Sequence, residues 1–350
     1  AGLAFAVTYL AQAIVSPLWG NLADQKGRKL MCLRASGVMT FTIFAVGLVH
    51  HAWTIVLLRF VQGAFSGYIN NATAFMAGET PHNRSGAVMA NMMTANVTGN
   101  LLGPLVGGLL AGFAGYRVTF FVCGAMMGIV FLLTLFNTKE HFTPIPAKKM
   151  KPMKEIFAQL ENKQLIIAMF ITTLFIQSAL MSIAPIVSLL VKSLMHGTGN
   201  VSFVSGVVAA MPGFGTLLVA SRLGVKMDKI GPLKVLVFGL VAAMVVFLPM
   251  YFVTSPWSLG FWRFLLGIAN AALLPAVQTV LTVSVPREAF GRIFSYNQSF
   301  QAAGAMLGSM MGSLISGLFN YQAVFLVTAA LMALNLLLIW KVHRPLENEK

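Results

Sequence analysis

Long apolar runs, separated by short breaks rich in charge or in Gly, Pro and Asn, recur along the whole 350-residue chain. A hydrocarbon core about 30 Å thick takes about 20 residues of helix, and only helices and closed barrels satisfy their own backbone hydrogen bonds in lipid. Barrel strands are shorter and alternate apolar with polar positions; these runs do neither. The pattern therefore predicts an all-α membrane protein with eleven helices, near 1 to 20, 35 to 51, 54 to 77, 86 to 110, 117 to 137, 165 to 190, 201 to 221, 235 to 254, 258 to 284, 293 to 317 and 322 to 341.

Composition agrees, with 57% hydrophobic and 9% charged residues against about 25% charged in soluble domains. The net charge of +15 raises the question of nucleic acid, and the placement of the charges answers it. With the loops laid out alternately, one side collects 20 of the 24 Lys and Arg residues, among them Lys26, Arg28, Lys29, Arg34, Arg222, Lys226 and six lysines from Lys139 to Lys163. The other side has Arg117 and Lys192, while Arg59 and Arg263 fall inside apolar runs. This positive-inside pattern makes the basic loops and the C-terminus cytoplasmic and the charge a topology signal, not a nucleic-acid surface. Cys32 and Cys123 stand apart and read as reduced packing residues.

The chain also repeats itself. A shift of 204 pairs Gly20 with Gly224, Asp24 with Asp228, Gly27 with Gly231, Arg59 with Arg263 and Gly63 with Gly267. At a shift of 205, Gly99, Gly103 and Gly107 meet Gly304, Gly308 and Gly312. Pairs that keep chain order and membrane direction mark a parallel duplication, as in transporters built from two similar halves. The helix near 165 to 190 has no mate upstream, so one further helix is expected ahead of Ala1, twelve in all. The halves are expected at 1–137 and 165–350, joined by a basic cytoplasmic linker at 138–164 whose Met153, Ile156, Phe157 and Leu160 form one face of an interfacial helix.

Three stretches carry motifs. "GNLADQKGRK" holds Gly20, Asp24, Gly27, Arg28 and Lys29; "RFVQG" holds Arg59, Gln62 and Gly63; "GNLLGPLVGG" holds Gly99, Gly103, Pro104, Gly107 and Gly108. They resemble, in turn, the cytoplasmic, fourth-helix and fifth-helix antiporter signatures of the major facilitator superfamily, and the whole chain is similar to bacterial multidrug efflux transporters of that family. The resemblance implies two pseudo-symmetric six-helix halves and alternating access in the bacterial cytoplasmic membrane. Small lipophilic drug-like substrates would be exported in exchange for protons by a monomer without cofactor or metal. An uptake carrier for a small nutrient or metabolite, on the same fold, is the alternative. The second half departs from the pattern: Pro232 and Leu233 stand where Arg28 and Lys29 would be, and Ser309 stands where Pro104 would be.

The residues themselves suggest three roles. Gly20 and Gly27 permit a tight turn, and Asp24, repeated as Asp228, is expected to cap a helix or pair with a cation as a conformational latch between the halves. Gly99, Gly103 and Gly107 recur every four residues and form a smooth strip for another helix, whereas Pro104 and Gly108 are what the second half lacks. At about 100° per residue, Arg59, Gln62, Ser66, Asn70 and Thr73 fall within roughly an 80° stripe on an otherwise apolar helix. A full charge there is costly and should face a cavity or a partner. The stripe is the candidate substrate or coupling site, with Gln177 and, from the second half, Arg263, Asn270 and Gln278. Asn96, Asn100 and Asn297 read as interhelical hydrogen bonds.

Other classes fit poorly. The six histidines sit in loops or the tail without His/Glu metal spacing, and no buried nucleophile or acid pair is visible. A channel would show a repeated charged ring or a carbonyl filter. All nine acids map to cytoplasmic loops, helix ends or the tail, which leaves Arg59 and Arg263 as the only charges deep in the helices. Unpaired positive charge in a low-dielectric cavity disfavours a permanently cationic drug and tolerates a neutral or acidic lipophile, unless the expected first helix brings an acid.

Overall fold

The computed structural model describes residues 2–80, 85–140, 162–196, 199–285 and 290–348, and every regular element among them is a helix. In chain order these are α1 (Gly2–Lys26), α2 (Arg28–Leu48), α3 (Ala52–Ala64), α4 (Tyr68–Glu79), α5 (Ser85–Asn137), α6 (Lys163–Ile183), α7 (Val187–Leu194), α8 (Val201–Ile230), α9 (Pro232–Met250), α10 (Pro256–Ser284), α11 (Phe290–Leu318) and α12 (Ala323–Asn348). The expected interfacial helix of the linker lies outside the described residues. Among the described residues seven stretches are long and apolar enough to cross a membrane, which makes this an integral membrane protein.

Local chemistry sets the boundaries. The expected basic turn near Gly27 is a single residue: α1 runs to Lys26, α2 starts at Arg28, and Gly27 takes φ +96°, a conformation open to glycine at little cost. Its repeat mate Gly231 does the same at φ +91° between α8 and α9. The 53 residues of α5 would make a rod of about 80 Å, far beyond one crossing; Gly115, at φ +81°, turns it into two. At the start of α10, Pro256 follows Ser255, whose hydroxyl accepts from the Ser258 N–H at 3.2 Å.

Two expected helices are broken. The run near 54 to 77 divides into α3 and α4 around Phe65, Ser66 and Gly67, with Gly67 at φ +106°. The run near 165 to 190 divides into α6 and α7 around Ala184, Pro185 and Ile186. Hydropathy reads the composition of a crossing and is blind to a change of backbone within it.

Pairs 204 or 205 apart in the chain make matching contacts. A Cβ on Gly63 would overlap the Thr8 carbonyl oxygen, and one on Gly267 would overlap that of Pro212. Among the described residues the halves meet chiefly at two crossings, α1 on α11 and α5 on α8. Gly2 packs against Ser309 and Ser313 at one; Gly206 packs against Pro104 and Gly108, its counterparts, at the other.

The large buried core belongs to the second half, from Leu165 to Ile339. There α6 is gripped by α11: a Cβ on Gly304, Gly308 or Gly312 would overlap the carbonyl oxygen of Leu174, Ser178 or Ser182. Buried hydrogen bonds fix α6 further, from Thr172 to Asn335 at 3.0 Å and from Thr173 to Asn297 at 2.8 Å. The interhelical role expected of Asn297 is met. Asn100 instead bonds Asn96 at 2.8 Å one turn away on the same helix, with both side chains exposed.

Candidate functional site

The 13-residue α3 carries the first two residues of the candidate stripe, Arg59 and Gln62. Arg59 donates to Gln62 Oε1 at 2.8 Å, the pairing that a spacing of three on a helix provides. Both are half-buried, and Gly63 on the next position lets α1 come to backbone contact at Thr8. Tyr9, one residue on, lies close enough to Arg59 to interact electrostatically, and its hydroxyl donates to Met181 Sδ on α6 at 3.4 Å. Arg59 thus sits beside a side chain that reaches the opposite half. Nothing in the sequence pattern singled out Tyr9; the repeat gave it no polar counterpart.

The stripe does not continue as drawn. Beyond Ala64 the helical angle is lost, so Ser66 falls in the break between α3 and α4 and its hydroxyl bonds the Gly63 carbonyl at 2.8 Å. Thr73 bonds its own helix at Ile69, and the Asn70 side chain lies outside the described residues. In the second half, Arg263 buries its Nε without a hydrogen-bond partner, Asn270 is half-buried and Gln278 is exposed. Gln177 is buried on α6.

At the Gly27 turn the structure shows a clasp to the end of α5 and the residues that follow it. The Glu140 carboxylate accepts from the Arg28 and Lys29 N–H groups at 2.7 and 3.0 Å, while Lys29 Nζ donates to the Leu135 and Thr138 carbonyls at 3.1 and 2.7 Å. Basic residues at a helix start oppose its dipole, and the carboxylate offsets them; the lysine does the converse at the end of α5. A Cβ on Gly27 would stand 2.7 Å from Glu140 Oε2, so the glycine serves both backbone and partner. Glu140→Gln should lower stability by about 1 kcal/mol and Glu140→Ala by about 2, measured as detergent-solubilised thermal or denaturant unfolding. Equal stability of all three proteins would remove the clasp. Gly20 and Asp24 lie in the last turns of α1 and Asp228 in that of α8; the two aspartate side chains are outside the described residues.

The fifth-helix glycines divide by face. Among the described residues nothing lies within 4 Å of a Cβ placed on Gly99, Gly103 or Gly107, so this strip meets no described helix. Close approach occurs next door. A Cβ on Gly206 would stand 2.6 Å from the Pro104 carbonyl oxygen, one on Gly108 would stand 2.8 Å from Gly206 Cα, and one on Gly112 would stand 2.7 Å from the Asn200 side-chain amide. Tyr116 and Ser202 close this seam with a hydroxyl pair at 3.0 Å. Spacing gave the period of the glycines, and the neighbour that each face meets depends on topology.

Two repeat-related helical units, joined at two matched crossings with a charged residue beside a side chain that bridges them, define a secondary transporter with two similar halves. The family model described as Major Facilitator Superfamily matches residues 1–227 and 186–350, and the chain belongs to that family. Among its relatives is a protein named multidrug resistance protein MdtG from Citrobacter koseri, 45% identical over 343 residues that cover 98% of this chain and 84% of the relative. A protein of the same name from Salmonella arizonae is 44% identical, covering 97% and 84%. The fold matches the solved nucleoside transporter NupG with a TM-score of 0.78 at 15% identity, over 97% of this chain and 90% of that one.

Proposed function

We propose that the chain is a secondary active exporter of drug-like lipophilic compounds, working by alternating access in exchange for protons. The observation that carries this reading is the similarity over 98% of the chain to a multidrug resistance protein. It is supported by Pro104 and Gly108, the two signature positions absent from the second half, which stand where the halves meet. The halves would be residues 1–137 and 165–350, with the linker, the basic loops and the C-terminus on the cytoplasmic side, and Asp24 and Asp228 in latch roles at its surface.

Arg59, Gln62, Ser66, Asn70, Gln177, Arg263, Asn270 and Gln278 are the proposed cavity and coupling residues. The unpartnered Arg263 Nε calls for an acceptor, and an oxygen on a neutral or acidic lipophile supplies one.

In right-side-out cells the protein should lower the steady-state content of a neutral or acidic lipophilic dye, and dissipating the proton gradient should restore it. A rise in dye on expression would favour the uptake carrier instead. Arg59→Lys keeps charge but loses the planar guanidinium, one nitrogen of which donates to Gln62; export should fall about tenfold with expression unchanged, a loss of about 1.4 kcal/mol in the rate-limiting step. Parental export by both Arg59→Lys and Arg59→Ala would place Arg59 outside the mechanism.

A further inference from the structure

Arg34 counts in the sequence as one more cytoplasmic loop charge, but the structure puts it to another use. It lies in the second turn of α2, its guanidinium carbon 3.6 Å from the centroid of the Trp19 ring on α1, and donates to the Ser66 carbonyl at 3.0 Å. Its Nε is buried without a hydrogen-bond partner. Trp19 in turn donates its indole N–H to the Ala64 carbonyl at 2.7 Å and packs on Phe65, with ring centroids 5.6 Å apart. Both side chains therefore converge on the break between α3 and α4.

Backbone groups released by such a break need partners in a membrane. Gly63 accepts from the Ser66 N–H at 3.2 Å, Gly67 accepts from the Asn71 side chain at 2.8 Å, and Ala64 and Ser66 are served by Trp19 and Arg34. In an unbroken helix the Ala64 carbonyl would bond the Tyr68 N–H. The indole would then share its acceptor with the helix. An unbroken helix would satisfy these backbone groups without help, so Trp19 and Arg34 favour the broken arrangement. Gly67, at φ +106°, favours it too.

We propose that Trp19 and Arg34 are positioning residues that hold the α3–α4 crossing in its broken form and so set where α3 presents Arg59 and Gln62. Release of this clamp lets α3 realign during the transport cycle. The consequence for transport rests on the exporter reading; the clamp itself does not.

The test places spin labels on either side of the break, at the exposed positions Trp53 and Ile69, in a protein lacking Cys32 and Cys123, and measures the distance distribution in detergent and in lipid. Trp19→Phe keeps the ring and removes the donor; Arg34→Gln removes the cation; Arg34→Lys keeps charge without the flat face. Trp19→Phe and Arg34→Gln should each raise a second distance population at least threefold, and Arg34→Lys should raise it less. Maximal export should fall at least fivefold with KM within twofold of the parent. A purely structural role would lower the folded yield and leave the distribution of the folded fraction as in the parent, and that result overturns the proposal. If Trp19→Phe fails to fold, the Arg34 pair and Gly67→Ala decide by the same criterion. Absence of export by the parent would sink the exporter reading and leave the distance result standing.

Discussion

Gly308→Val will cost the protein at least about 3 kcal/mol, enough to leave little folded material, because even a Cβ there overlaps the Ser178 carbonyl and the two helix backbones must separate. Its repeat mate behaves oppositely. Gly103→Val places its side chain in open space and should change stability by less than about 0.5 kcal/mol in the 350-residue chain. Thermal unfolding of the two purified variants compares them directly. Similar melting would mean that the contrast between the strips is not real. In a longer chain with a helix ahead of Ala1 seated on this face, Gly103→Val should be as damaging as Gly308→Val.

Gly206→Val should act between the halves and leave each half folded. The Pro104 carbonyl oxygen and Gly108 Cα, 2.6 and 3.0 Å from a Cβ there, belong to the other half, so the added methyls push the α5–α8 crossing apart. Export should fall at least tenfold, about 1.4 kcal/mol or more, with melting within a few degrees of the parent. Spin labels at Tyr116→Cys and Ser202→Cys report the seam that these two hydroxyls close at 3.0 Å. The distance distribution should be short and narrow in the parent background and shift to longer distances with Gly206→Val. An unchanged distribution would show that the crossing tolerates the bulk and that the glycines there serve another purpose.

The helical class, the membrane character and the repeat were legible because each rests on patterns many residues long. Shifts of 204 and 205 pair contacts as well as letters, as Gly63 with Thr8 and Gly267 with Pro212 show. What stayed hidden depends on one backbone angle or on a partner far along the chain. Gly67 looks like any membrane glycine until its positive φ ends α3 and cuts the polar stripe. Glu140 reads as one acid in a lysine-rich segment, yet its oxygens cap α2 from 112 residues away. Arg34 belongs by position to the topology charges and by contact to the α3–α4 break. The Arg59–Gln62 pair was legible because both lie within one helical turn; its neighbour Tyr9 was not, because α1 comes to α3 only through the fold.

The two matched crossings between the halves also constrain how the molecule can move. Gly2 against Ser309 and Ser313, and Gly206 against Pro104 and Gly108, are related by the repeat, whose halves keep the same membrane direction. The two points therefore sit at the same depth and define a line lying in the plane of the membrane. Bodies held close along two such seams turn most easily about that line. Small residues at these points act as a bearing surface, since backbones rolling over one another have no long side chains to unlock. Residues far from the line, such as those at the Gly27 and Gly231 turns, sweep the greatest arc and have the greatest leverage over which way the molecule tips.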